Sequence, residues 1–438
     1  MISDVTKRWC SAAPAAVFLT VCATSSFSSG CGDDDAQPKD EMKAADAGAA
    51  DSGKPASLLE PPKAGHGVQF TMKTELEPGE ESEKCQFVRT GDEELLVNHD
   101  EARFSTGSHH VLLFLTSYKE IPTENVQHVA VDTSGVFDCS SGVQGNWSAQ
   151  GLVAASQSPH GDSAISFPPG VALRIPPGSV LLINTHYINA SEKVVRPEVY
   201  INLHTLAEGE VEHEGGLLFW YNPFLKVPAS GKSEMLAGCP VPNDIKITNV
   251  QSHMHRRGVS YSATLIAPDS TRKEIYTSDT WEDVPVKGYD PNIEVAAGSR
   301  IEWQCNYKND ETHDVYQGPR STDEMCMFIG SYYPRDEATG FCSRDRQAFL
   351  NAEWKIGKGT ASCADSFSCI VNANTKASSG GSSGGRNQAL YSGITDCLLA
   401  SKPEVSAPLS SVLGCLAANG AAAAGEKCSS EIAACQKL

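Results

Sequence analysis

Beyond residue 31 the chain has no run of 18 apolar residues, which excludes a membrane-spanning helix from that part. Positive charge is scarce. The 35 Lys and Arg stand against 54 Asp and Glu, giving a net charge of −19. That balance excludes nucleic acid and an anionic membrane surface as partners. Part of the acidity sits in a leader, from Asp33-Asp34-Asp35 through Asp51. No Cys-x-x-Cys pair occurs, which weakens a zinc reading of the 15 cysteines.

What is present begins with an export signature. Lys7 and Arg8 precede an apolar run from Ala12 to Thr24, too short for a membrane span. Ser28-Ser29-Gly30-Cys31 then resembles a bacterial lipoprotein cleavage box, with serine where leucine is usual. Residues 1–31 are therefore expected to be a signal peptide ending in a lipidated Cys31. The expected location is the cell envelope, or otherwise the periplasm or outside, with a lipid anchor as the only membrane contact. Setting aside Cys10, Cys22 and Cys31 leaves 12 cysteines, an even number that predicts disulfides in an oxidising compartment.

Residues 32–64 hold few large apolar side chains and read as a disordered acidic tether. From about 65 to 345 short runs rich in Val, Ile, Leu, Tyr and Thr alternate with turn residues. They include Val111 to Leu115, Val180 to Ile188, Val199 to Leu203, Leu217 to Tyr221, Ile245 to Val250 and Tyr261 to Ala267. This pattern predicts an all-β fold of two tandem sandwiches, 65–228 and 229–345, joined near Pro223 to Gly231. Pro-Pro-Gly at 168–170 and at 176–178 marks turns. Residues 346–438 form a cysteine-rich appendage with a Ser/Gly linker at 378–385. Helices are expected from Ala389 to Leu399 and from Ser429 to Lys437. Its six cysteines allow 15 connectivities.

Histidine and methionine carry the chemistry. His253-Met254-His255 lies in a strand-like run, where alternate side chains share a face and both imidazoles can reach one ion. His109 and His110 are adjacent, so both could serve one metal only if the strand is bulged there. His186 by itself reads as a core histidine, and Met325 as a core gap-filler. Imidazole suits copper, zinc, iron and nickel, whereas a thioether selects reduced copper. His66, His99, His128, His160, His204, His213 and His313 have no partner at metal spacing and read as structural or exposed. Asn146-Trp147-Ser148 and Asn189-Ala190-Ser191 match the glycosylation pattern but carry little weight in a bacterial lipoprotein.

Taken together, His109-His110-Val111-Leu112-Leu113-Phe114, Thr185-His186-Tyr187, His253-Met254-His255, Asp323-Glu324-Met325-Cys326 and Tyr332-Tyr333-Pro334 resemble the copper type II, ascorbate-dependent monooxygenases in order and spacing. The resemblance covers roughly 65–345. It implies two jelly-roll-like sandwiches, with one copper on each, facing a solvent-filled cleft. It implies His109, His110 and His186 as ligands of an electron-transfer copper. It implies His253, His255 and Met325 as ligands of an oxygen-binding copper where catalysis occurs. It further implies ascorbate or a similar one-electron donor, dioxygen and a small-molecule substrate as partners. Bridges Cys85–Cys139, Cys239–Cys342 and Cys305–Cys326 are similar to bridges of the family.

The peptide-hydroxylating relatives bind substrate with an arginine, an asparagine and a tyrosine, where this chain has Gln251, Met327 and Ile329. Asn184 stands where those relatives carry glutamine. With these polar handles lost, the expected substrate is a small apolar or aromatic compound rather than peptidylglycine. Tyr332-Tyr333-Pro334 is closer to the amine-hydroxylating branch. The competing functions are a non-catalytic surface copper binder for storage, delivery or sensing, and a β-sandwich interaction protein with a degenerate site.

Overall fold

The computed structural model describes residues 58–105, 107–143, 146–158, 165–340, 342, 353–354, 357–378, 383–419 and 424–438. The expected signal peptide, Cys31 and most of the tether lie outside the described residues, as does His160.

The first half contains strands β1 (Gly67–Lys73), β2 (Glu81–Arg89), β3 (Leu95–Phe104), β4 (Ser108–Thr116), β5 (Phe137–Asp138), β6 (Ala149–Ser156), β7 (Val171–Ile175), β8 (Val180–Ile188), β9 (Glu198–Thr205) and β10 (His213–Glu214). They form two five-stranded sheets, β1-β9-β3-β7-β10 and β5-β2-β8-β4-β6. Leu113, Leu181, Ile183 and Tyr187 from the second sheet share one buried cluster with Val97, Ile201 and Leu203 from the first. The Pro-Pro-Gly turns place Gly170 and Gly178 at φ of 81° and 63°, where a side chain would be strained.

The central strand of the second sheet explains much of the site. β8 is flanked by β2 and β4 and buried along nearly its whole length. A strand covered on both faces needs apolar residues throughout. Yet Asn184, Thr185 and His186 interrupt the apolar run and are buried. Asn184 and His186, two residues apart, share a face, so that face of β8 meets something other than an apolar core.

The second half follows with β11 (Gly216–Tyr221), β12 (Lys226–Val227), β13 (Gly231–Pro240), β14 (Ile245–His253), β15 (Gly258–Ile266), β16 (Arg272–Ser278), β17 (Lys287–Val295), β18 (Arg300–Asn309), β19 (Val315–Tyr316), β20 (Met327–Tyr333) and β21 (Glu353–Trp354). Its main sheets are β11-β20-β14-β17 and β16-β15-β18-β13-β21. Trp220 and Phe328 stack at 5.3 Å within the core between them, beside Trp303. β11 precedes the joint expected near Pro223 to Gly231, yet it pairs along its length with β20.

Helices α1 (Glu337–Gly340), α2 (Cys363–Ser378), α3 (Ser383–Ala400), α4 (Ser406–Asn419), α5 (Ala424–Lys427) and α6 (Ser429–Cys435) follow β20 in the chain. Ser383 to Gly385, expected to end a Ser/Gly linker, begin α3, while 379–382 lie outside the described residues. α2 and α4 were not anticipated. Their apolar residues do recur at helical spacing, Phe367, Ile370 and Val371 in α2 and Leu409, Val412, Leu413 and Leu416 in α4, among many Ser, Asn and Ala. The segment is not a detached appendage: Ile370, Leu398, Leu409 and Val412 belong to the same buried cluster as Trp220 and Trp303. Six disulfides are present among the described residues. They are Cys85–Cys139, Cys239–Cys342, Cys305–Cys326, Cys363–Cys435, Cys369–Cys397 and Cys415–Cys428. So many bridges are consistent with an exported protein.

Candidate metal centre

The register of β4 against β8 runs Phe114↔Leu182, Leu112↔Asn184 and His110↔His186, then skips to Ser108↔Tyr187. His109 is the extra residue of a bulge. A bulge re-aims its side chains. Adjacent histidines, which a regular strand would send to opposite faces, here bring their Nδ1 atoms within 3.2 Å. The ring centroids of His109 and His110 lie 5.5 and 5.4 Å from that of His186. One nitrogen from each ring falls within a 4.8 Å cluster.

On the second half, β14 pairs with β20 so that Gln251 opposes Ile329 and His253 opposes Met327. β11 places Phe219 beside Ile329 and Tyr221 beside Met327. β14 ends at His253, and His255 follows in a turn. Glu324 holds that turn, accepting the His255 N–H at 3.0 Å and the Arg257 N–H at 2.9 Å. Burial pushes the Glu324 carboxyl up to about 7, against these donors and the Arg257 guanidinium. The rings of His253 and His255 stand 5.2 Å apart, while Met254 turns into the core. Met325 is anchored through its carbonyl, which accepts the Tyr307 hydroxyl at 2.6 Å, and by the Cys326–Cys305 bridge next to it.

A cavity of about 680 Å³ opens between the two halves. His110, His253 and Met325 line it, together with all four residues expected to contact substrate, Asn184, Gln251, Met327 and Ile329. Leu112, Phe114 and Phe219 make much of the remaining wall apolar. His110 and His253 meet across it with centroids 5.7 Å apart.

Three observations test whether these side chains fit a bound metal. First, buried ring nitrogens are left over. His186 Nε2–H donates to Glu81 at 2.9 Å, and its buried Nδ1 has no partner among the described residues. His255 Nδ1–H donates to the Asp323 carbonyl at 3.0 Å, and its buried Nε2 likewise has none. An unsatisfied buried nitrogen is costly, and a metal ion would satisfy it. Second, four of the rings are held neutral, the form that ligates. Burial, reinforced by the neighbouring imidazoles, lowers His109 to about 4 and His255 to about 3. The same causes hold His110 and His253 well below the ordinary value. Third, outer partners orient the rings, as around metal-bound histidines. Glu81 is one such partner. Gln157 is another, its Oε1 accepting from His253 Nδ1 at 2.7 Å.

Sequence reasoning missed Glu81, Glu83, Gln157 and Glu324. Glu81 and Glu83 alternate in β2 on the face that carries Cys85, a readable signal. Glu83 opposes His186 in the ladder, lines the cavity, and accepts from Asn184 Nδ2 at 3.1 Å. Gln157 follows an apolar strand with no local mark. Glycosylation at the two matching asparagines is disfavoured, since Asn146 and Asn189 are buried and their amides bind backbone carbonyls.

The arrangement defines a class: a two-halved β protein with paired clusters of imidazoles and a thioether beside an apolar cavity. Residues 220–353 match the family model described as "Copper type II ascorbate-dependent monooxygenase, C-terminal domain". The segment contains His253, His255 and Met325, while His109, His110 and His186 precede it. Copper and ascorbate dependence are what the family implies. No curated protein matches the chain. Among solved structures, the major capsid protein P2 from bacteriophage PM2 is similar at 11% identity, covering 60% of this chain and 97% of its own, with a TM-score of 0.24. An infectious bursal disease virus structure (Gt strain) is similar at 10% identity, covering 64% and 72%, with a TM-score of 0.15. At these scores neither likeness bears on the fold.

Proposed function

We propose that the protein is a copper-dependent monooxygenase that hydroxylates a C–H bond of a small apolar or aromatic compound. It would use dioxygen and an ascorbate-like one-electron donor. The observation that carries this reading is that His110, His253 and Met325 open onto one largely apolar cavity. Two coppers per chain are proposed, one on His109, His110 and His186, the other on His253, His255 and Met325. Copper, when bound, supplies one-electron redox chemistry and activation of dioxygen. The thioether of Met325 favours the reduced ion at its site, whereas three imidazoles hold either oxidation state.

The remaining work falls to the chain's own residues. Glu81 and Gln157 fix ring orientation. Met327, Ile329, Phe114 and Phe219 bind the apolar body of the substrate and exclude water from it. Gln251 and Asn184 offer amide groups to orient it. Met327 and Ile329, in place of polar handles, argue against a peptide carboxylate. The proposed architecture is two jelly-roll-like domains, 65–228 and 229–345, with the strand at 216–221 pairing into the second. Residues 1–31 are proposed as a signal peptide with Cys31 as lipid anchor.

Copper stoichiometry, followed by oxygen uptake with ascorbate over a panel of small C–H donors, tests this. Two coppers per chain with substrate-dependent uptake is the expected result. Two coppers without coupled turnover on any donor would leave a non-catalytic copper binder.

A further inference from the structure

Helix α3 lies outside the segment that matches the family and carries none of the expected ligands. It nevertheless contributes Gln388 and Tyr391 to the wall of the cavity. The Tyr391 ring packs 6.3 Å from that of Phe224, and Tyr391 interacts electrostatically with Tyr221. Tyr221 in turn opposes Met327 in the ladder. Gln388 Nε2 donates to Asp323 Oδ1 at 2.9 Å, and the Asp323 carbonyl is the one that accepts His255 Nδ1–H.

The helix is fixed in this position. Asp396 accepts from Lys226 Nζ at 2.9 Å and from the Tyr316 hydroxyl at 3.0 Å. Cys397 is bridged to Cys369 of α2. Gly393 lets the two helices approach, since a Cβ there would stand 2.8 Å from that of Ala373. Leu398 is buried in the core of the second half.

We infer that α3 is a permanent wall of the substrate cavity, and that Tyr391 is a specificity-determining residue that limits the length of apolar substrate admitted. This rests on reading the cavity as the substrate pocket. A large aromatic ring packed against Phe224 on a disulfide-stapled helix cannot swing away as a loop side chain can. Its volume therefore sets a limit rather than a preference. Gln388 serves the same wall by tying it to the loop that leads to Met325.

The test uses the full chain freed of metal and a series of ω-phenylalkanols from phenylethanol to phenylhexanol, with binding read by titration calorimetry. Tyr391→Ala should bind the longest members about tenfold or more tightly than the wild type, the scale of one or two methylenes accommodated in an apolar pocket. Tyr391→Trp should weaken those same members about tenfold while leaving phenylethanol within about twofold. Tyr391→Phe, which keeps the ring, should reproduce the wild-type length dependence. The wild-type length dependence in both Tyr391→Ala and Tyr391→Trp would overturn the inference. So would a wild-type protein that binds no member. If Tyr391→Ala does not fold, Tyr391→Trp alone decides. Copper content is measured separately. Its failure would sink the monooxygenase reading and leave the length series standing.

Discussion

The imidazoles of His110 and His253 face one another at 5.7 Å, although one belongs to β4 of the first half and the other to β14 of the second. The two proposed ligand sets therefore adjoin across the cavity rather than standing on opposite banks of a wide cleft. Oxidised copper bound at both should show dipolar broadening in its electron paramagnetic resonance spectrum. His253→Ala should remove the broadening and leave a sharp signal from the histidines of the first half. Two independent, unbroadened signals in the doubly loaded protein would rule out this proximity in solution.

Met325 has a partly buried side chain, and its backbone is pinned by Tyr307 and the Cys305–Cys326 bridge. Met325→Ala should thus retain the fold and the copper of the first set while abolishing hydroxylation. Circular dichroism, metal content and oxygen uptake read these three outcomes separately. Unimpaired turnover would show that the thioether is not a ligand.

One oxygen of Glu81 accepts both the His186 ring N–H and, at 2.8 Å, the backbone N–H of Ser321 in the loop leading to Met325. The His186 hydrogen bond is the main cause that holds this carboxyl down to about 2, against the cost of its burial. Glu81→Gln should weaken copper binding to the first set by about 10- to 100-fold, as loss of an outer partner does. Competition with a chelator measures it, and an unchanged affinity would remove Glu81 from the centre.

Burial pushes the Glu83 carboxyl up to about 7, opposed by His186 and by the hydrogen bond from Asn184. The folded chain therefore favours the protonated acid. Relative to an unfolded value of 4.5, stability should fall as pH rises from 4.5 to about 7, then level off. The full effect is about 3 kcal/mol in the metal-free protein. Glu83→Gln should melt close to the wild type at pH 4 and well above it at pH 8. A gap that stays constant over that range would show that Glu83 titrates normally.

The strands were readable because their runs are short, β-branched and bounded by Gly and Pro. Each apolar run picked out between 111 and 267 falls in a strand, with Ala267 alone lying one residue past the end of β15. Pairing was not readable. Nothing local tells that Leu217 to Tyr221 joins β20, because register is set by packing over a long sequence separation. The proposed ligands His253 and His255 stand out through their spacing, although His255 owes its position to Glu324 rather than to strand alternation. The contribution of α3 was invisible for a plain reason: Gln388 and Tyr391 are ordinary helix residues, and only the docked position of the helix turns them toward the cavity.

The bulge at His109 has a consequence for anyone wishing to move this site. Two neighbouring histidines can reach one ion only because one rung of the β4–β8 ladder is skipped. Grafting the His-His dipeptide onto a flat strand would yield one ligand and one surface residue. Deleting Ser108 or His109 here would restore a regular ladder and leave the first cluster one imidazole short. A transplant must copy the irregularity along with the letters.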